Sequence, residues 1–376
     1  MPMKELVGAS SQGSISRGRL AEQFKRVTSP ERLAVYLGYA IPLCIIGLFL
    51  FDKAIIRPLF YVFCLLPTAV YIYRVRLTPV RGSVYWWLIV SFCGWWLASI
   101  VWSHEPTLES VTDAFRLGVI VAVFFTGAIA VARQGYLRVE PTLTIITALA
   151  LVLGLVALGW IAVTGELFDA GYRLEGFGFA DHPVHAGVMY GFAGIVALVK
   201  MFETPLPSWR AFYAAAVVTC AVFVVLTDSR GPLVAMVAAS LVFALARDAR
   251  LVLPVLAGFG GVLLAAHAFG VIDLAHWIAR GASSRLDIWS SVLERARANP
   301  IVGYGAASVM EFVHHHSAHN GLLAALYYQG LVGLGLLIAI AARVAYDAVV
   351  AARSGTVMTL TMLAFAVPDL LVDNQS

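Results

Sequence analysis

The chain has 376 residues, of which 60% are hydrophobic and only 13% are charged. A soluble domain usually carries about 25% charged residues, so this composition excludes an ordinary soluble globular protein and indicates a membrane protein. The net charge of +4 is small for this length and gives no indication of nucleic-acid binding.

Apolar runs recur along most of the chain, and each is close to the roughly 20 residues that a helix needs to cross the hydrocarbon core of a bilayer. The predicted spans are residues 33–51, 58–73, 84–102, 114–132, 142–164, 184–200, 211–227, 231–246, 251–271, 319–342 and 355–372. Together they predict an all-α polytopic transmembrane bundle with about 11–12 spans.

The predicted organisation has four parts. Residues 1–32 form a polar cytoplasmic arm, 33–271 form transmembrane helices 1 to 9, 272–318 form a large outer loop and 319–376 form the C-terminal transmembrane helices. No small-residue cleavage site follows the first apolar run, so we expect no cleaved signal peptide. No pair of inverted halves with matching broken helices is visible, which disfavours a transporter.

Lysine and arginine residues are concentrated in alternate connections, which the positive-inside rule assigns to the cytoplasm. Besides the arm, these connections hold Arg74, Arg76, Arg81, Arg133, Arg138, Lys200, Arg210, Arg247, Arg250, Arg343 and Arg353. The connections 103–113 and 165–183, the TDSRGP turn and the loop 272–318 then face outward, which in a bacterium is the periplasm.

The large outer loop contains a helical pattern of its own. Ser284 is placed to cap a helix and Asp287 falls in its first turn. The apolar face would consist of Leu286, Trp289, Val292, Leu293 and Ala296. This pattern predicts an amphipathic helix that lies near the membrane surface.

The four cysteines lie singly within apolar segments and lack metal-ligand spacing, which predicts core residues. They are Cys44, Cys64, Cys93 and Cys220.

Arg230 lies in the TDSRGP turn, where only a few polar residues separate two apolar runs. An arginine so close to the hydrocarbon is costly unless it has an anionic partner. That partner is either an anionic ligand or, in a purely structural interpretation, Asp228 or a lipid phosphate.

Two further arginines lie in outward-facing segments. Arg285 opens the amphipathic helix in a basic outer loop, which indicates an anionic ligand or a helix face beside lipid head groups. Arg173 lies in the segment GYRLEGFGFADHP, where it either belongs to the same anion site or pairs with Glu175 or Asp181.

His319 lies where the outer loop meets the next apolar run, at or just before the N-terminus of a helix. The positive end of the helix dipole keeps the imidazole neutral, as a general base requires. A histidine at a helix end is also commonly a structural hydrogen-bonding residue. The neighbouring His314, His315 and His316 have no helical spacing to a carboxylate, so no metal site is predicted.

Four stretches, in this order, resemble the O-antigen ligase family, which also contains O-antigen polymerases and protein O-oligosaccharyltransferases. They are RLEGFGFADHP at Arg173, DSRGPL at Arg230, SSRLDIWSSVLERARANPIVGYG at Arg285 and HNGLLAALYYQGLVGLG at His319. The resemblance covers roughly the second half of the chain, while the first half is similar in hydropathy alone. Family members commonly have an even number of spans, whereas this sequence predicts eleven.

The resemblance implies a GT-C-like bundle and a role in lipopolysaccharide biosynthesis. The implied reaction transfers a glycan from undecaprenyl diphosphate to lipid A-core at the periplasmic face of the bacterial inner membrane, with inversion and without a metal or cofactor. By position, His319 would take the proton of the acceptor hydroxyl, while Arg230 and Arg285 would stabilise charge on the diphosphate. Arg173 and Asn320 would complete the substrate-binding residues.

Three functions remain open from the sequence. A polymerase or a protein O-oligosaccharyltransferase would share the chemistry and differ in the acceptor, but a polymerase commonly has two large outer loops, and one dominates here. A carrier for an anionic lipid would place charged residues in the middle of its spans. Most charged residues here lie at the span ends, which favours an enzyme, and the single large loop favours a ligase.

Overall fold

The computed structural model describes residues 28–165, 173–270, 283–309 and 320–372. Within these ranges nine helices are long and apolar enough to cross a membrane. The predicted all-α multi-pass bundle is therefore confirmed. Residues 1–27, residues 271–282, residues 310–318 and His319, on which several predictions rest, lie outside the described part of the chain.

The helices follow the predicted apolar runs closely. In chain order they are α1 (Pro30–Gly47), α2 (Lys53–Val75, with a π-helical turn at Tyr61–Leu65), α3 (Val84–Ser99, continued by a 3-10 turn at Ile100–Trp102), α4 (Leu108–Arg133), α5 (Val139–Thr164), α6 (Pro183–Glu203), α7 (Pro207–Leu226), α8 (Arg230–Arg247), α9 (Val252–Ala268), α10 (Ser283–Ala296), α11 (Gly321–Arg353) and α12 (Met358–Val372). Each of the eleven predicted spans overlaps one of these helices.

Polar residues at the helix N-termini determine where several spans begin. Asp52, Ser83 and Thr107 each accept a hydrogen bond from the amide three residues farther along the chain. A free amide is costly at the edge of the hydrocarbon, where water is scarce. These caps therefore fix the start of α2, α3 and α4.

Helix α6 lies at the centre of the bundle, with 67% of its most apolar window buried, against 6% for the window that contains α9. Its glycines permit close contact with neighbouring helices. A Cβ atom at Gly187 would lie 2.9 Å from Pro232 of α8, and one at Gly191 would lie 2.9 Å from the ring of Phe365 in α12. Small residues on α6 thus bring the N-terminus of α8 against the bundle core.

The cysteines are free thiols within the helices. Cys64, Cys93 and Cys220 are buried and Cys44 is partly buried, which confirms that they are packing residues.

Helix α11 is broken at Gly330, which corrects the prediction of one continuous span over residues 319–342. The break separates a short helix, 321–329, from a long one, 331–353, because Gly330 has φ 64° and ψ −163°. Only glycine adopts this backbone region readily. The sequence analysis did not predict the break.

A segment of the outer loop, residues 300–308, fills the break and is called the strap here. Leu331 donates its amide hydrogen to Pro300 O over 2.8 Å, and Val332 donates to Ile301 O over 3.2 Å. The amides that the break removes from the helical ladder are thereby satisfied, as the membrane environment requires.

The predicted amphipathic helix is present as α10, but its buried face differs from the predicted one. Ile288, Val292 and Ala296 are buried, and the first two pack with Tyr327 of α11. Leu286 and Leu293, which were placed on the apolar face, are exposed. The spacing of four residues between the buried positions points this face toward α11, since residues i and i+4 share a helix face.

Replacing Gly330 by alanine is expected to destabilise the bundle. The new Cβ would overlap the carbonyl of Ile301 and lie 2.6 Å from Gly303 N, and strained backbone of this kind costs about 1–3 kcal/mol. Thermal unfolding of the purified protein in detergent should show a lower transition temperature. Gly335→Ala, in the same helix with open space around its Cβ, is the control and should not lower it; equal transitions for both variants would contradict the proposed strain.

Candidate active site

The turn between α7 and α8 forms the floor of the candidate site. Asp228 at its tip has φ 49°, a left-handed conformation that Asp tolerates better than most residues. The side chains on either side of it, Thr227 and Ser229, are buried. The turn therefore presents the N-terminus of α8, with Arg230 as its first residue, at this end of the bundle.

Arg173 is anchored to this turn by two hydrogen bonds. Its Nε donates to Thr227 O over 3.1 Å and its Nη2 donates to Ser229 Oγ over 2.9 Å. The next residue, Leu174, donates its amide hydrogen to Leu226 O over 3.0 Å. Two positions 57 residues apart in sequence, 173 and 230, are thus brought to the same turn.

The ion pairs considered for Arg173 are not formed. In the described part of the chain Arg173 makes no ion pair with Glu175 or Asp181. Asp181 lies 3.8 Å from Lys53 and 3.9 Å from His185 instead. The partners of Arg173 are neutral groups, so hydrogen bonding orients its guanidinium without neutralising its charge.

Arg230 is held by the packing of α8 on α6. The side chain is partly exposed, but its Nε and Nη2 atoms are shielded from solvent. The following residues, Gly231 and Pro232, are buried, and Pro232 packs against Gly187. Two guanidinium groups therefore lie beside a helix N-terminus, which itself attracts anions, together with the carboxylate of Asp228.

Of the remaining predicted site residues, Arg285 and Asn320 lie in the described part of the chain, and His319 lies outside it. Arg285 belongs to α10. Asn320 is the N-cap of α11, and its Oδ1 accepts hydrogen bonds from Leu322 N and Leu323 N over 3.0 and 3.1 Å. The carboxamide oxygen of Asn320 is therefore occupied by capping of α11.

The strap fastens α10 and α11 to helix α3. On one side Tyr304 N donates to Tyr327 O over 2.8 Å and Gly305 N donates to Tyr328 O over 2.9 Å. On the other side Ala306 N donates to Ser99 Oγ over 3.0 Å. A further bond, from Ala307 N to Ser103 Oγ over 2.9 Å, lies next to it.

Stacked aromatic rings reinforce the same junction. The rings of Tyr304 and Tyr327 lie 4.8 Å apart with an interplanar angle of 13°. Tyr327 also packs with Ile288 and Val292 of α10. The strap thus holds the helix that carries Arg285 against the helix that follows Asn320.

The structure also reveals residues that the sequence analysis missed. Thr227 and Ser229 orient Arg173, while Ser99 and Ser103 hold the strap. Their signal in the sequence is weak, since small hydroxyl residues are common in membrane helices, where they usually bond to their own backbone. In the part of the chain that the structure describes, no three His, Cys, Asp or Glu side chains converge in a metal-binding group.

Comparison with known proteins connects this geometry to a family. The sequence profile described as O-antigen ligase matches residues 215–338, a range that includes Arg230, Arg285, His319 and Asn320. An O-antigen ligase of Pseudomonas aeruginosa is 29% identical over 299 residues, covering 77% of this chain and 71% of the relative. The resemblance seen in the sequence motifs is thereby confirmed.

Removing the hydroxyl acceptors of the strap is expected to loosen it. In a Ser99→Ala/Ser103→Ala double variant, Ala306 N and Ala307 N lose their hydrogen-bond acceptors. Hydrogen–deuterium exchange of a peptide that spans the strap should then be faster, by roughly up to tenfold. The size of this effect follows from the contribution of one hydrogen bond, about 0.5–1.5 kcal/mol. Ser354→Ala, which removes an exposed hydroxyl at the other end of α11, should leave this exchange unchanged. Unaltered exchange in the double variant would mean that α11 alone holds the strap.

Proposed function

We propose that this chain, which is similar to O-antigen ligases, transfers a glycan from undecaprenyl diphosphate to lipid A-core. This similarity supports, at the coarse level, a glycosyltransferase-type ligase that acts on a lipid-linked glycan and a lipid acceptor. The finer assignments, namely the two substrates, the residue roles and a site at the periplasmic face of the bacterial inner membrane, belong to the proposal.

The observation that carries the proposal is the fixed position of Arg173 beside the N-terminus of α8. Its bonds to Thr227 O and Ser229 Oγ orient the guanidinium, and Arg230 lies at the same turn. Arginine is suited to a diphosphate because its planar guanidinium can donate two parallel hydrogen bonds to phosphate oxygens. The turn lies at the end of the bundle that the positive-inside rule assigns to the periplasm.

In the proposed reaction the acceptor hydroxyl oxygen forms a bond to the anomeric carbon of the donor. The bond between that carbon and the diphosphate oxygen breaks, and its electron pair leaves with the diphosphate. His319 takes the proton of the hydroxyl, while Arg173, Arg230 and Arg285 stabilise the charge that develops on the leaving group. Attack from the face opposite the diphosphate inverts the anomeric centre, and the side-chain amide of Asn320 helps to position a substrate oxygen.

His319→Ala is expected to abolish transfer in a reaction reconstituted from undecaprenyl-diphosphate glycan and lipid A-core. The parent protein should remain active with a chelator present, since the proposed step uses a histidine base and no metal. Glycosylated lipid A is resolved by gel electrophoresis. His104→Ala, which changes an exposed histidine at the same end of the bundle, is the control.

Full activity of His319→Ala would refute the proposed base, and loss of parent activity under chelation would refute metal-independent chemistry. A parent protein that lengthens the donor glycan but leaves lipid A-core unmodified would be a polymerase. Transfer to a protein acceptor alone would identify an O-oligosaccharyltransferase.

Arg173→Gln is expected to lower the transfer rate by about 10²–10³-fold, the range found when one preorganised donor to a developing anion is removed. The same reaction measures the effect. Arg116→Gln is a matched control, because Arg116 is an exposed arginine at the same end that pairs with Asp113 at 3.0 Å. If both variants retained the parent rate, Arg173 would have no part in the chemistry.

A further inference from the structure

Helix α9 is packed less closely than its neighbours, although Phe259, Val262, Leu263 and Ala266 contact the bundle core. It crosses the membrane, yet none of its residues is buried. An apolar crevice of about 280 Å³ lies between α9 and the helices α6, α7 and α8. In a membrane such a crevice is open to lipid.

The crevice is built from one stripe of residues on each helix. On α8 the stripe consists of Met236, Ser240 and Phe243, at intervals of four and three residues. Matching stripes are Gly194, Leu198, Met201 and Phe202 on α6, Val217, Val218 and Ala221 on α7, and Pro254, Val255, Gly258, Phe259 and Val262 on α9. Ser240 adds no free polar group, because its hydroxyl donates to Met236 O over 2.8 Å.

Two arginines continue these stripes at the end of the bundle opposite Arg230. Arg247 follows Phe243 by four residues on α8, and Arg210 precedes Ala214 by four residues on α7. Both arginines line a second cavity, of about 530 Å³, which shares Met201 and Phe202 with the crevice. The two cavities therefore adjoin: the one with basic residues at its wall is called the mouth here, and the other is the apolar crevice.

The carboxylates near this mouth are engaged elsewhere. Glu203 lies 3.7 Å from Lys200, and Asp248 accepts a hydrogen bond from Arg250 N over 2.9 Å. Among the described residues neither Arg210 nor Arg247 forms an ion pair, and Arg210 uses only its Nε, in a bond to Thr204 O of 2.8 Å. Both guanidinium groups can therefore contact an anion in the mouth.

The length of the site matches one leaflet of a bilayer. From Arg247 to Met236 the helix rises about 16 Å, at about 1.5 Å per residue. This is half of the roughly 30 Å hydrocarbon core. A basic pocket between transmembrane helices on the cytoplasmic side is suited to an anionic lipid head group.

We propose that this site binds an anionic phospholipid of the cytoplasmic leaflet, with its phosphate between Arg210 and Arg247 and an acyl chain in the crevice beneath α9. The lipid fills the space between α9 and the bundle. This site is distinct from the candidate active site at the other end of α8 and does not depend on the transfer reaction.

The head-group contact is tested with delipidated full-length protein in detergent, by native mass spectrometry during titration with phosphatidylglycerol, phosphatidylcholine or inorganic phosphate. The parent protein should bind phosphatidylglycerol in preference to phosphatidylcholine. Arg210→Gln/Arg247→Gln should weaken this binding by roughly 30-fold, since each basic residue near an anionic surface contributes about a factor of five. Arg250→Gln, an exposed arginine at the same end but outside the site, should leave it unchanged.

The acyl-chain contact is tested with a glycine pair on α9. Gly258 lines the crevice and Gly261 does not, while a Cβ at either position meets no atom within 4 Å. Leucine also favours a helix over glycine, so both Gly258→Leu and Gly261→Leu should fold. Gly258→Leu should lower phosphatidylglycerol binding at least fivefold, and Gly261→Leu should not.

Three results would overturn the proposal. Equal binding of phosphatidylglycerol and phosphatidylcholine would mean that the arginines do not select an anion. Binding or competition by inorganic phosphate would identify a small-anion site without an acyl chain, and equal effects of the two leucine variants would show that the chain lies elsewhere.

Discussion

The amide hydrogens of Leu331 and Val332 point out of a broken helix and are taken up by the carbonyls of Pro300 and Ile301. A membrane offers no water to satisfy such groups, so a break in a spanning helix is stable only where protein fills it. The strap meets this requirement, and its position is consequently determined by the break. Because the strap joins α10 to the segment before α11, the same constraint places the helix that carries Arg285 and the cap at Asn320.

The arginines at the α7–α8 turn are subject to a second constraint, the repulsion between like charges. Arg173 uses its hydrogen bonds on a backbone carbonyl and a serine hydroxyl, and Arg230 adds another cation at the positive end of the α8 dipole. Like charges gathered in this way are unfavourable in the free protein. Under the proposed function a diphosphate would offset that cost, since functional sites commonly trade stability for affinity.

Ion pairs occur at both ends of the bundle. At the end opposite Arg230, Arg343 pairs with Asp347 at 2.9 Å and Lys200 pairs with Glu140. These pairs join neighbouring turns or helices and are structural. The helices differ in burial, since α6 is enclosed on most sides while α9 is enclosed on few. Helix association in lipid depends on close packing rather than on exclusion of water, and a lipid can complete the packing where protein does not.

The sequence by itself determined the class of fold and the resemblance to O-antigen ligases. It predicted eleven spans, whereas nine helices in the described part of the chain are long and apolar enough to cross a membrane. Hydropathy and the positions of basic residues are local properties, and a span of about 20 apolar residues has no stable alternative to a helix in lipid. The motifs around Arg173, Arg230, Arg285 and His319 likewise led to the proposed anionic donor. Tertiary structure alone decided the break at Gly330, the buried face of α10 and the anchoring of Arg173. These features depend on partners distant in the sequence: Ile301 for the break, Tyr327 for α10, and the α7–α8 turn for Arg173. Neither periodicity nor composition encodes such pairings, because a glycine, a serine or an exposed leucine is compatible with several environments until the packing of the helices selects one.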